Sequence, residues 1–464
     1  MENNQFRSFR QQKRSVKDEI YDTSKTLSYE EALSNVKKAL KKEVETALDE
    51  ETRKRKEKVI EEKDKKYLRE TMNHYRTKIW NIVANEDMHV FNMTTNELVE
   101  TLLNELEGRD ILEDAFQDEK VTDIFIYSWN KIYVERDGEN ELYLKKFRNE
   151  MHYNVFLTRL ISEAESALNA GANKKADFEL WGDRYCATHR SISPNGDSLT
   201  IRKHSESHIR LSHMLEAKVL DEKLARFFYL IIKGQTNFII SGITGSGKTT
   251  DLRAILDEYV VKLNRRVITS EDTRELFLEN EQTLELLTFP SKEEETRVTQ
   301  SDNIHTSLRL KPRYIVVGEV RGPEAEAAVE AAATGHSTIF TSHAIKEIDA
   351  INRLVINYQK AMPKLSSDIV ESIISNAIDF IVIKKNIPGI GRKITSVSEV
   401  GYNEETRRIA INKIMKYNYK ADTFDFVGTF SEEVLEKMYG SGVTTTELET
   451  WEMEANVYDL RASA

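Results

Sequence analysis

The chain reads as an α/β protein whose C-terminal half holds a mostly parallel sheet with helices on both faces. An α+β domain precedes it, and a charged helical extension comes first. Three observations predict this. A glycine-rich octet, GITGSGKT at 242–249, stands between a short apolar run and an amphipathic helical pattern. Downstream, apolar runs alternate with helical patterns, as parallel strands joined by crossover helices do. Upstream, dense Lys and Glu over residues 1–75 give way to mixed strand and helix signals over 76–205.

In the extension, Leu33, Val36, Leu40, Val44 and Leu48 step by three or four, so one narrow stripe is apolar. The run at 53–70 is almost wholly charged, with only Val59, Ile60, Tyr67 and Leu68 able to face a core. It reads as solvated helix faces, or more sharply as a small bundle or hairpin that docks a partner. The first two dozen residues have the composition of a poorly ordered segment.

In the second region, Thr95 caps a helix running through Leu103 and Leu106. Residues 121–127 and 131–136 alternate like paired strands, and Asp137-Gly138 supplies a turn. A helix over 150–167 turns Phe156, Leu157, Leu160 and Ile161 inward, and strands at 177–181, 184–189 and 198–203 complete the domain. The polar, aperiodic stretch at 204–212 marks a linker, placed at 206–215 in the domain division, and the last domain runs over 216–464.

There, Asp221 caps a helix carrying Leu224, Phe227, Phe228 and Ile231, which Gly234 closes. Residues 237–240 form the strand before the octet. Leu252, Ile255, Leu256, Tyr259, Val260 and Leu263 line one face of the helix after it. Strands follow at 266–270, 314–318 and 337–342. Between the last two lies an Ala-rich helix with Pro323 at its start and Gly335 past its end. The remainder to 464 is a helical and strand extension.

Bulk properties exclude several classes. Among 464 residues no apolar run approaches the roughly 18 residues of a membrane span. Cys186 is the only cysteine, so neither an intramolecular disulfide nor a zinc ribbon can form. The first residues carry no apolar core of a secretion signal, so the cytoplasm is the expected location. A net charge of −11 disfavours a broad nucleic-acid-binding surface.

The octet fits G-x-x-x-x-G-K-[ST], the loop that cradles phosphates. Gly242, Gly245 and Gly247 let backbone N–H groups turn inward around phosphate oxygens. Lys248 would reach the β/γ-phosphates and Thr249 would ligate Mg²⁺, so ATP and Mg²⁺ are the expected ligands. Thr244, Ser246 and Thr250 complete the candidate nucleotide-binding set. Three more segments stand at ends of the strands that follow, where such sheets bind ligands. SEDTREL places Glu271 and Asp272 just past a strand. IVVGEVRG places Gly318, Glu319 and Arg321 past another, and GHSTIFTSHA flanks a strand with His336 and His343. Singly, each reads equally well as a helix cap, a solvated loop or a core histidine; together, in this order behind the octet, they point to a catalytic constellation.

This quadruple resembles the ATPase superfamily of type II and type IV secretion and type IV pili. The segments at 121–138, 183–188, 198–204 and 308–322 are similar to its tight-adherence (CpaF-like) and conjugation-motor branch. The resemblance covers about residues 100–400. It implies a homohexamer of two-domain subunits, an α+β domain swinging over a RecA-like P-loop ATPase domain. It also implies an inner-membrane platform protein as partner, membrane association only through partners, and no direct nucleic-acid binding. Carried over, Glu319 is the general base, Glu271 positions the water or the metal, and Thr249, Glu271 and Glu319 form the metal set. His336 and His343 report the γ-phosphate state, Arg184 and Arg202 reach the γ-phosphate from the N-terminal domain, and Arg321 joins the catalytic group. Ser270 and Ser342 depart from the aliphatic residues usual in the acidic and histidine boxes. The implied function is a motor for pilus assembly, protein secretion or conjugative transfer. A DNA translocase or helicase, and a nucleotide-gated scaffold with little turnover, are the alternatives.

Overall fold

The computed structural model describes residues 26–44, 65–164, 166–204, 209–289, 291, 293–403 and 405–452. The first two dozen residues, Leu48, Val59, Ile60 and positions 205–208 of the expected linker lie outside the described residues. The chain divides into two compact units, Met1–Glu206 and Ser207–Ala464, each with cores of its own.

The N-terminal unit opens with a short parallel pair, β1 (Thr26–Leu27) and β2 (His89–Val90), and the helices α1 (Tyr29–Val44), α2 (Lys65–Asn85) and α3 (Thr95–Leu106). The narrow stripe of the extension is used: Ala32, Leu33 and Val36 pack with Tyr75, Ile79, Leu98 and Leu102 in one small core. The sequence reading puts the cap of α3 at Thr95, but Thr94 makes it. Glu97 N–H donates to Thr94 Oγ1 at 3.2 Å, and Thr94 N–H donates back to Glu97 Oε2 at 2.7 Å. The reciprocal box needs its acid three residues after the cap, a spacing that only Thr94 offers to Glu97.

After α4 (Glu113–Gln117) come β3 (Val121–Ser128), β4 (Lys131–Arg136), β5 (Glu139–Leu142), α5 (Glu150–Glu163), β6 (Lys175–Leu180), β7 (Asp183–Thr188) and β8 (Ser198–Arg202). The strands make one antiparallel sheet in the order β5-β4-β3-β8-β7-β6. Asp137 and Gly138 both take positive φ, 52° and 86°, the two-residue hairpin turn that an Asp-Gly pair favours. Alternate strand residues such as Ile124, Ile126, Tyr185 and Ile201 bury one face of the sheet against Tyr153, Phe156, Leu157 and Leu160 of α5.

The C-terminal unit begins with α6 (Leu211–Glu216), α7 (Glu222–Lys233), β9 (Phe238–Gly242), α8 (Lys248–Leu263), β10 (Val267–Glu271) and β11 (Thr283–Leu287). It continues with α9 (Gln300–Arg309), β12 (Tyr314–Val317), α10 (Glu324–Ala333), β13 (Ser337–Ser342), α11 (Glu347–Ala361) and α12 (Ser367–Ala377). The last elements are β14 (Phe380–Ile387), β15 (Gly391–Asn403), β16 (Arg408–Asn418), β17 (Thr423–Phe426) and α13 (Glu432–Gly440). One nine-stranded sheet runs β11-β10-β12-β13-β9-β14-β15-β16-β17. Its pairings are parallel from β11 to β14 and antiparallel beyond. The stretch expected as an extension therefore supplies strands to the sheet itself, with β14 beside β9.

Both faces of the sheet are covered, so its central strands read as continuous apolar runs rather than alternating ones. Phe238 and Ile240 of β9, Tyr314 and Val316 of β12, and Phe380 and Val382 of β14 join one core with α7 and α8. Ile239, Ile315, Val317, Ile381 and Ile383 join the other with the Ala-rich α10 and with α11 and α12. Buried Asn237 ties the base of the sheet together. Its Nδ2 donates to Ala332 O at 3.2 Å and Ala377 O at 2.6 Å, and its Oδ1 accepts from Thr338 N at 2.8 Å.

Phe227 of α7 stacks on Phe430 at 5.7 Å and lies edge-on to Phe380. Phe227→Ala should destabilise the C-terminal unit by about 3–5 kcal/mol in denaturant unfolding, the usual cost of emptying an aromatic site. A change below about 1 kcal/mol would show that this cluster collapses to fill the space.

Candidate functional site

The octet turns at the carboxyl end of β9, where Ser241 stands opposite Ser342 of β13 and Gly242 opposite Lys384 of β14. A Cβ at Gly242 would lie 2.4 Å from the carbonyl oxygen of Lys384, so only glycine fits. Gly245 and Gly247 take φ of 75° and 81°, the left-handed region where a side chain is strained. Gly247 is also the N-cap of α8, and no side chain caps that end. In contrast, α7 has its Leu224 N–H taken by Asp221 at 2.8 Å. A sixteen-residue helix thus presents uncapped first-turn N–H groups and the positive end of its dipole to the loop. This cradle fits a chain of phosphate oxygens. Thr249, half-buried, and Thr250, exposed, follow Lys248 in the first turn, and Thr244 is exposed in the loop. Ser246 Oγ donates inward to Ile243 O at 2.8 Å and fixes the turn.

Three predicted residues meet beside the loop. Lys248 Nζ lies 3.0 Å from Gly242 O, 3.2 Å from Ile243 O and 3.3 Å from His343 Nδ1. The other nitrogen of His343, Nε2, stands 2.8 Å from Glu319 Oε1. Nδ1 also stands 3.2 Å from Gly242 O, which can only accept. An ammonium can only donate and a carboxylate can only accept, so the neutral Nε2–H tautomer serves Lys248 and Glu319 and leaves Gly242 O to Lys248 Nζ. Burial first, and then the charge of Lys248, hold His343 below its ordinary pKa, with Glu319 opposing them. Glu319 keeps a third of its side chain exposed, past the end of β12. Thr341 Oγ1 donates to Gly318 O at 2.6 Å and Val320 N–H to Thr341 O at 2.9 Å, pinning the turn that carries Glu319.

The acidic box is divided. Glu271 ends β10 and is sealed at 2 % exposure, with Oε1 accepting from Glu275 N and Leu276 N at 3.1 Å each. Its Oε2 has no hydrogen-bond partner among the described residues. A Cβ at Gly318 would press on Glu271 Cγ at 3.0 Å, which explains the glycine in IVVGEVRG. Burial pushes the Glu271 carboxyl up to about 8. With Oε1 committed to two backbone amides, Oε2 is the atom that Glu271 leaves uncommitted for the metal expected of it. Asp272 is the solvent-facing member, paired with Arg321 and accepting from Thr288 Oγ1 at 3.1 Å. The unusual serine of the histidine box has a partner: Ser342 and Ser241 share a buried hydrogen bond of 2.5 Å.

Other predicted residues are placed elsewhere. His336 precedes β13 and His343 follows it, roughly 23 Å of strand apart. His336 Nδ1 lies 3.2 Å from Pro312 O, at the amino ends of the strands. There it borders a cleft of about 510 Å³ with Arg265, Arg266, Lys311 and Arg313. Arg184 and Arg202 belong to the N-terminal unit, directly opposite one another on β7 and β8. Arg202 Nε donates to Asp123 Oδ1 at 3.1 Å, which relieves the like-charge pairing.

Sequence reasoning missed Asp251 and Lys384, a buried ion pair under the loop. Lys384 Nζ also donates to Gly247 O at 3.1 Å. It missed Asp183 as well, fully buried between Arg109 Nη2 at 3.0 Å and His204 N at 2.9 Å. A charge inside an otherwise apolar register was the available signal in each case.

Comparison with known proteins gives a consistent family. The profile of the Type II/IV secretion system protein family matches residues 190–420. An uncharacterised protein of Methanocaldococcus jannaschii, MJ0900, is 29% identical over 252 residues, covering 53% of this chain and 43% of that relative. The chain thus spans less than half of that relative's length. The conjugal transfer protein TrbB of Rhizobium radiobacter is 32% identical over 212 residues, 45% of this chain and 62% of TrbB. The type IV secretion system protein VirB11 of Brucella suis is 34% identical over 178 residues, 37% of this chain and 48% of that protein. Its solved structure aligns with a TM-score of 0.34 at 23% identity, covering 64% of this chain and 93% of that one.

Glu271 gives a pH prediction. Its pKa rises from an ordinary 4.5 to about 8, so between those values the folded chain keeps a proton that the unfolded chain releases. Its stabilising share is full below the unfolded value and is lost as pH climbs toward 8. Glu271→Gln, neutral throughout, should flatten the decline in thermal midpoint between pH 5 and 8. A decline parallel to that of the parent would contradict this account of the residue.

Proposed function

Residues 190–420 place this chain in the family of type II/IV secretion system proteins, and from that premise we propose that it is an ATP-hydrolysing motor subunit. The observation that carries the reading is the line of contacts Lys248–His343–Glu319 at the carboxyl edge of the parallel strands. The glycine cradle and the uncapped start of α8 bind the phosphate chain, and Lys248 neutralises the β/γ-phosphates. Thr249 and Glu319 would hold Mg²⁺, which when bound draws charge from the phosphate oxygens.

Glu319 accepts the proton of the attacking water. It suits this task because it is partly exposed and because His343 Nε2–H fixes its orientation. The same imidazole accepts from Lys248, so one ring links the cation that engages phosphate to the base that acts on water. Asp272 and Arg321 brace the neighbouring turn, and buried Glu271 holds the acidic box in shape through backbone amides. Arg184 and Arg202 serve as an anion-facing pair on the N-terminal sheet.

We further propose a homohexamer at the cytoplasmic face of a membrane, held by an inner-membrane platform protein and driving pilus assembly, secretion or conjugative transfer. The TrbB and VirB11 similarities support that set of machines. No described helix is long and apolar enough to cross a membrane.

Glu319→Gln should retain ATP binding and lower phosphate release by about 10²–10⁴-fold, the range ascribed to a general base. Unchanged turnover would remove Glu319 from that role. Sedimentation in ATP should show a species about six times the subunit mass of 53.7 kDa. A monomer at concentrations that support turnover would refute the ring.

A further inference from the structure

We infer that Lys384, paired with Asp251, is a positioning residue that clamps both ends of the phosphate loop and sets its affinity for nucleotide. The inference rests on the ATP-binding reading above and adds residues that its motifs do not contain. Lys384 lies on β14, directly opposite Gly242 in the parallel ladder. Its carbonyl oxygen occupies the space that any side chain at Gly242 would need. Its side chain passes under the loop to the other end, where Nζ donates to Gly247 O at 3.1 Å and pairs with Asp251. One residue therefore touches the first and last glycines of the octet, and both members of the pair are sealed, at 2 % and 4 % side-chain exposure.

The contact at Gly247 has a directional consequence. A trans peptide is planar, with its C=O and N–H pointing opposite ways. Gly247 O is held from below by Lys384 Nζ and by Asp251 N–H at 3.0 Å. Lys248 N–H is therefore aimed up into the concave side of the loop, where a phosphate oxygen would accept it. A Cβ at Gly247 would stand 3.2 Å from Lys384 Nζ, so the glycine also makes room for the clamp.

The charges fit the same role. Asp251 stands in the first turn of α8, and an unpaired carboxylate there would oppose a phosphate chain at the helix N-terminus. Lys384 cancels that charge at contact distance. Neither residue could stay ionised alone at this burial, and burial indeed works against both charges, raising Asp251 and lowering Lys384 from their ordinary pKa values.

The experiment separates a clamp from a fold-stabilising pair. ATP affinity, by equilibrium titration with Mg²⁺, and thermal midpoint are measured on the full chain for Lys384→Met, Asp251→Asn and the double variant Asp251→Leu/Lys384→Met. Replacing both members with apolar residues relieves the buried charge, so the double variant should regain the midpoint lost in Lys384→Met. Its ATP affinity should nonetheless stay about tenfold weak, because Gly247 O keeps only the backbone N–H of residue 251 and loses the side-chain donor that ties it to β14. Asp251→Asn keeps that donor and should bind ATP close to the parent's affinity, which decides the matter even if the double variant folds poorly. Parental affinity in a stable double variant, or equal loss in Asp251→Asn and Lys384→Met, would overturn the clamp. A parent chain that binds no ATP would instead overturn the functional reading on which it rests.

Discussion

The site depends on the parallel pairing of β9 between β13 and β14. Hydrogen-bond register alone sets Gly242 beside Lys384 and Ser241 beside Ser342, so the next residue, His343, arrives at the loop without any long-range search. A slip of one residue would exchange the faces of β9, moving Phe238 and Ile240 into the core that receives Ile239. Because both faces are buried, that slip is penalised on each side of the sheet at once. The chemistry at the rim therefore inherits its precision from the apolar runs beneath it.

A second constraint is electrostatic. The rim carries Glu271, Asp272, Asp251 and Glu319, yet it is shaped to receive an anion. The structure handles each acid differently. Burial favours the proton on Glu271, Arg321 pairs with Asp272, Lys384 answers Asp251, and His343 engages Glu319 while leaving it partly exposed. Only Glu319 combines exposure with contact to the residue that touches Lys248. That asymmetry, rather than the count of carboxylates, is what favours Glu319 as the proposed base.

Much of this was legible in the sequence because local spacing encodes it. The octet, the runs that became β9, β12 and β13, and the Asp221 cap each carry their signal within about ten residues. The shift from Thr95 to Thr94 was also readable, since Glu97 marks the box. His336 and His343 share one motif, but a six-residue strand separates them, and counting its rise shows that they cannot share one end. What local pattern could not give is the partnership of residues distant in the chain. Nothing near Asp251 points to Lys384, and the closing strands look like an appendage until β14 is seen to pair with β9. The burial of Glu271 was hidden for the same reason: Gly318, which packs closely against it, follows a different strand.

The strand ends gathered around the loop are proposed to form a hydrolytic site and not merely a nucleotide-holding one. Multiple-turnover phosphate release from Mg²⁺-ATP by the full chain, compared with Lys248→Ala, tests it most directly. Many phosphates released per subunit in the parent, and loss of release in the variant, are the expected results. Tight ATP binding with no more than one phosphate per subunit would contradict the proposal and leave a nucleotide-gated scaffold in its place.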